Sequence, residues 1–200
     1  MSRQLLGAFI AILFVNSVQA AILVSKDGRS ANQSVVKTAG TAMDLRQQRR
    51  VGVDFSYAGE HGVLGASLEI NLQPKWSVLS GFGLGDRYQS YSIKVRHYFG
   101  GQRVVPFADF GYARWVTRQK TASTFSSTSP GFLGTKFLNA DEKDQGEFAV
   151  NLLYPAIGIQ YMQLGGEYAG VGVHAKILML MDVDDFVAAP TGEVGVSFYF

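Results

Sequence analysis

Gly62-Val63-Leu64-Gly65-Ala66-Ser67-Leu68-Glu69-Ile70-Asn71-Leu72-Gln73 changes character at every step. Leu64, Ala66, Leu68, Ile70 and Leu72 fall on one side, and Val63, Gly65, Ser67, Glu69 and Asn71 on the other. A period of two marks a strand whose faces meet different surroundings. The pattern repeats downstream. Trp76, Val78, Phe82 and Leu84 oppose Ser77, Gly81, Gly83 and Gly85; Tyr91, Ile93, Val95 and Phe99 oppose Ser90, Ser92, Lys94 and Arg96. Working outward in both directions, the alternation predicts strands over 49–57, 62–73, 76–85, 88–99, 104–116, 148–162, 167–180 and 192–200. Most have about 9–12 residues, the length a tilted strand needs to cross a bilayer. Pro155 weakens the sixth, because proline removes a ladder donor.

The connections alternate in length. Gln73-Pro74-Lys75, Gly100-Gly101-Gln102-Arg103 and Gln163-Leu164-Gly165-Gly166 are tight turns. On the other side lie 58–61, 86–87, the 31-residue segment 117–147 and 181–191. Membrane barrels have short periplasmic turns and longer outer loops. The 86–87 connection is short for an outer loop. The expected fold is all-β, an eight-stranded antiparallel up-and-down transmembrane β-barrel.

Composition chooses which face lies outside. A soluble barrel would have an apolar lumen and a solvated exterior. Here the polar face is mostly Gly, Ser and Ala, and charged residues are only 17% of the chain, against about 25% in ordinary soluble domains. Small side chains suit the crowded interior of a narrow barrel. Tyr57, Trp76, Tyr91, Phe99, Tyr161 and Phe200 sit near strand ends on the apolar face, as in interfacial aromatic girdles. The greasy face is therefore expected to meet lipid.

The N-terminus supports an exported chain. Arg3 precedes the apolar run Leu5 to Val15, and Val18-Gln19-Ala20 is a small-residue cleavage box. The run has 11 residues, too few for a helix to span a bilayer. The expected organisation is a signal peptide at 1–20, a periplasmic tail at 21–48 and the barrel at 49–200. The tail ends in the basic stretch Met43-Asp44-Leu45-Arg46-Gln47-Gln48-Arg49-Arg50, read as a disordered lead-in or an interfacial helix. No cysteine is present, which excludes disulfides and thiolate chemistry. A net charge of +2 gives no basic field for a nucleic-acid partner.

With the apolar face outward, Asp54, Glu69 and Asp109 face inward against Lys94, Arg96 and Lys176, with His174 beside them. A mutually neutralised plug is favoured over a gated ion path, because eight strands leave little bore.

The last residues, Glu193-Val194-Gly195-Val196-Ser197-Phe198-Tyr199-Phe200, resemble the C-terminal signal of bacterial outer-membrane proteins, with Glu193, Gly195, Phe198 and Phe200 at the matching positions. The stretch from about 50 to 200 resembles the small OmpA/OmpX-type barrels. The resemblance implies residence in the outer membrane among lipids and lipopolysaccharide, and recognition by the barrel-assembly machinery.

Some barrels of this size modify lipid A, and such sites need a histidine near a serine and an acid. His97 is followed by Tyr98 and Phe99; His174 points inward and lacks a His-x-Ser spacing. His61, Asp86 and Ser90 are the remaining set, but the adjacent Asp-Ser pair of the palmitoyltransferase-like sites is missing, and His61 reads better as a satisfied surface residue. Asp182-Val183-Asp184-Asp185 lacks the rest of a calcium-loop pattern. No catalytic residues, cofactor or metal site are expected. The segment 117–147, Ser/Thr-rich over 121–130 and carrying Phe132, Phe137 and Leu138, is where an extracellular ligand would bind.

Overall fold

A computed structural model describes residues 39–118 and 128–200. The signal-peptide expectation and the serine-rich stretch 121–127 lie outside the described residues. In chain order the elements are helix α1 (Ala42–Gln48), β1 (Val51–Ala58), a 3-10 turn (Gly59–His61), β2 (Leu64–Gln73), β3 (Trp76–Leu84), β4 (Tyr88–Tyr98), β5 (Val104–Thr117), a π-helical turn (Leu133–Phe137), helix α2 (Ala140–Gln145), β6 (Ala149–Met162), β7 (Val171–Asp182) and β8 (Ala188–Tyr199).

Each strand pairs antiparallel with the next, and β1 pairs with β8, so the sheet closes. The register across that last seam runs from Gly52↔Tyr199 to Ala58↔Glu193. Closure leaves no free edge, the condition for backbone in hydrocarbon. The three tight turns share one end, and the connections β1–β2, β3–β4, β5–β6 and β7–β8 share the other. Strand starts and ends agree with the alternation to within a few residues; β7 begins and ends later than expected, and β8 begins earlier.

The side-chain distribution is inside-out. Leu68, Ile177 and Phe198 are 38%, 65% and 38% exposed, whereas Glu69 and Lys94 are 1% and 2% exposed. Outward residues of β5 run from Val104 to Arg114. Ten steps of about 3.4 Å at a tilt of about 40° give a belt of about 26 Å, matching the apolar band of membrane barrels. Trp76, His97 and Phe99 line the turn end of this outer face, the first pair tilted and the second edge-to-face, with centroids 4.3 and 5.1 Å apart.

Pro155 lies outward on β6 and pairs with Phe110 of β5. On its other side the β6–β7 register skips from Leu153↔Met181 to Ala156↔Leu178. The missing donor is accommodated as a local gap in one ladder, and the strand runs on.

Candidate functional site: a lumen closed by two apolar caps

The inner face of the wall is small. Gly65, Gly81 and Gly83 face inward between β2 and β4, and a Cβ at Gly65 would overlap the His61 ring. The space they leave is filled by the β1–β2 connection, which turns into the barrel. Gly59 and Gly62 hold φ of +70° and +90°, the left-handed region that glycine enters without strain. This inward turn buries both Glu60 and His61 completely. Trp115 Nε1 donates to the Glu60 carbonyl at 2.8 Å, and Ser90 Oγ donates to the His61 carbonyl at 3.0 Å.

Glu60 thereby reaches the middle of the lumen. Lys176 Nζ donates to its Oε2 at 2.7 Å, and Lys94 Nζ binds its Oε1. Lys176 also lies 3.0 Å from Glu193 Oε1 and 3.4 Å from Asp109 Oδ2. Arg96 forms a two-pronged pair with Asp109, Nε to Oδ1 at 2.7 Å and Nη2 to Oδ2 at 2.8 Å. Paired forks of this kind are the strong charge-assisted bonds. His174 stands between two carboxylates, Nδ1 at 3.2 Å from Asp54 Oδ2 and Nε2 at 3.4 Å from Glu193 Oε1.

Glu69 is held from outside the strands. Arg46 of α1 reaches into the lumen and binds Glu69 Oε1 at 2.6 Å, Asn71 Oδ1 and the Tyr199 hydroxyl at 2.9 Å. The Tyr98 and Tyr199 hydroxyls donate to Glu69 at 3.0 and 2.8 Å. The Arg46 guanidinium lies 3.6 Å from the Tyr98 ring centroid, a cation–π contact. Burial opposes its charge, but Tyr98 and Glu69 beside it raise its pKa above the ordinary value.

Both ends of the charged layer are covered by apolar side chains. At the turn end, Ala42 and Leu45 of α1 pack with Tyr98, Val105, Phe107, Met162, Leu164 and Tyr199. Thr41 and Asp44 close a capping box that starts this helix, with bonds of 3.2 and 3.0 Å. At the loop end, Leu133, Phe137, Leu138 and Phe148 pack onto Tyr88, Trp115, Leu152 and Leu180, with Phe132 against them. Tyr88 and Trp115 are stacked, centroids 5.0 Å apart.

The seven expected lumen residues are all buried within the barrel: Lys94, Lys176, Asp109 and Arg96 link through Glu60 and one another, His174 joins them through Glu193, Glu69 is held by Arg46, and Asp54 lies against the His174 ring. Of the four read as an assembly signal, Phe198 and Phe200 point outward, Gly195 lies under the His174 ring, and Glu193 turns into the charge network. Two expectations are corrected. His61 is not a surface residue; it is buried, with Nε2 2.9 Å from Ser67 Oγ. Asp86 stays exposed on the short β3–β4 connection, whereas His61 and Ser90 are buried. The stretch 43–50, read as a disordered lead-in or an interfacial helix, contributes most of helix α1, which docks on the barrel mouth and sends Arg46 inside. Sequence reasoning missed Arg46, Glu60 and the inward role of Glu193. The Gly59 and Gly62 pair flanking Glu60 was the available signal for an inward turn.

No protein-family model matches the chain, and no curated protein matches its sequence. Solved structures do. The N-terminal β-barrel domain of Pseudomonas aeruginosa OprF is 15% identical at a TM-score of 0.52, over 75% of this chain and 96% of that one. The Yersinia pestis outer membrane protein Ail is 14% identical at a TM-score of 0.41, over 76% of this chain and 99% of that one. The chain therefore has a β-barrel fold similar to that of the OprF domain, here closed from eight up-and-down strands.

Proposed function

We propose that this is an integral outer-membrane β-barrel, non-enzymatic and closed to solute, serving a structural or surface-interaction role through its loop end. The observation that carries the reading is the distribution of charge and grease. An apolar belt faces outward, and an ion-paired layer is sealed between two apolar caps. Lipids and lipopolysaccharide are the surroundings that such a belt fits. The terminal Glu193, Gly195, Phe198 and Phe200 pattern supports delivery by the barrel-assembly machinery. Extracellular contact would be made by 117–147, whose α2 is held by an Asn139–Glu142 capping box and stays on the surface.

The double cap supports a plug over a pore. In planar bilayers the protein is expected to be silent. Steady single-channel conductance would reject the closed-lumen reading. Recovery in the periplasmic extract rather than the envelope would reject the membrane reading. Lipid A acylation, read by mass spectrometry, is expected to be the same with the protein present, deleted or carrying His61→Ala.

A further inference from the structure

Between the two caps the described lumen holds five carboxylates, Asp54, Glu60, Glu69, Asp109 and Glu193, and four permanent cations, Arg46, Lys94, Arg96 and Lys176. Four of the carboxylates touch one or more of those cations. Asp54 touches none of them. It is 1% exposed, and neither of its oxygens has a hydrogen-bond partner. The ring of His174 lies nearest, with Nδ1 3.2 Å from Asp54 Oδ2, and this Nδ1 also lacks a hydrogen-bond partner. An unpaired carboxylate in a closed interior is costly, and a cluster of orphaned polar atoms in one place calls for an occupant.

The geometry points to a divalent transition-metal ion held by Asp54 and His174, with Glu193 completing the set; we propose this as a cation site inside the barrel. Asp54, His174 and Glu193 come from β1, β7 and β8, and each offers a ligand atom within 4.8 Å of the others. His174 Nδ1 and Asp54 Oδ2 are 3.2 Å apart. Neighbouring ligands of a tetrahedral ion with bonds of about 2.0–2.1 Å sit about 3.3 Å apart. One imidazole with carboxylates is a donor set that suits zinc and its neighbours. Glu193 Oε1 faces Nε2 at 3.4 Å. Lys176 does not replace the ion, because its single charge is shared among Glu60, Asp109 and Glu193. The site is independent of the role proposed for the loops. Because both caps cover it, the ion enters during folding and leaves slowly.

The test is to refold the full chain from denaturant into detergent with zinc chloride, desalt it, and count zinc by mass spectrometry. Heat-shifted gel migration serves as the separate readout of a folded barrel. The folded wild type is expected to keep about one zinc per chain through a chelator wash, and Asp54→Asn and His174→Gln to keep less than about a tenth of that while still folding. Folded wild type that retains no zinc overturns the proposal. So does equal retention in the Asp54→Asn and His174→Gln variants. Should either variant fail to fold, the nitrogen shifts of the His174 ring in wild type decide. A metal-bound Nδ1 in the zinc-loaded protein supports the site, and two protonated ring nitrogens in that sample overturn it.

Discussion

Arg46 carries a disproportionate share of the molecule's electrostatics for one side chain on a short helix. It is fully buried and binds Glu69, Asn71 and Tyr199. Removing one partner of a buried pair leaves the other uncompensated, at about 3–5 kcal/mol. Arg46→Ala is therefore expected to lower unfolding stability in detergent by about 3–5 kcal/mol, and Glu69→Gln added to it to recover much of the loss. Urea titrations of the single and double variants check this. An unchanged midpoint in Arg46→Ala would mean that the guanidinium is dispensable. The residue scale also shows what was readable. Parity along a strand is local information, so it placed Asp54, Glu69, Lys94, Arg96, Asp109, His174 and Lys176 inside. Arg46 and Glu60 reach the lumen from a helix and a turn, where no period of two applies. Glu193 was legible as an inward residue too, but the terminal pattern drew the reading elsewhere.

Among the elements, α1 and the inward β1–β2 turn do what loops on a simple barrel would not. Helix α1 has seven residues, too few to stand alone in water. It holds because Leu45 and Ala42 are buried on the barrel mouth and its first turn is capped. Leu45→Asp is expected to undock it, making cleavage by trypsin after Arg46, Arg49 and Arg50 at least about tenfold faster than in wild type. Equal digestion rates would show that the helix is not held by that contact. Gly65→Val acts on the other insert. Its side chain needs the room that the His61 ring occupies, so the turn is expected to lift and Trp115, which binds the Glu60 carbonyl at 2.8 Å, to change its fluorescence. Unaltered emission would show that the turn stays seated. The apolar caps were only half legible. Leu152, Leu178 and Leu180 lie on the face read as polar, because near the loop end that face meets Phe137 and Leu138 instead of charged groups.

At the scale of the whole molecule, eight similar strands do not make eight similar seams. Between β1 and β8 the ladder is continuous from Gly52 to Ala58. Between β6 and β7 it skips two positions beside Pro155. Local opening follows the density of backbone bonds. Amide exchange at Leu153, Met179 and Met181 is expected to be at least about tenfold faster than at Val53, Phe55 and Val196. The reverse order would place the weak line at the closure instead. The closed topology itself was readable because strand count, turn alternation and face composition each report on it independently. The bolting of its ends was not, since those bonds join residues far apart in the chain.

That bolting has a consequence for how the protein is made. Arg46 Nη1 donates to the Tyr199 hydroxyl and Arg49 Nη1 to the Tyr199 carbonyl, each at 2.9 Å. The beginning of the described chain is thus tied to its penultimate residue, which acts as a keystone. Until that tyrosine is in place, a partly assembled sheet carries acids and bases whose counterparts have not arrived, and every intermediate leaves some of them open to water. A barrel that lacks its final strand would leave Lys176 and His174 without Glu193, and Arg46 and Arg49 without Tyr199, a poor substitute for the whole.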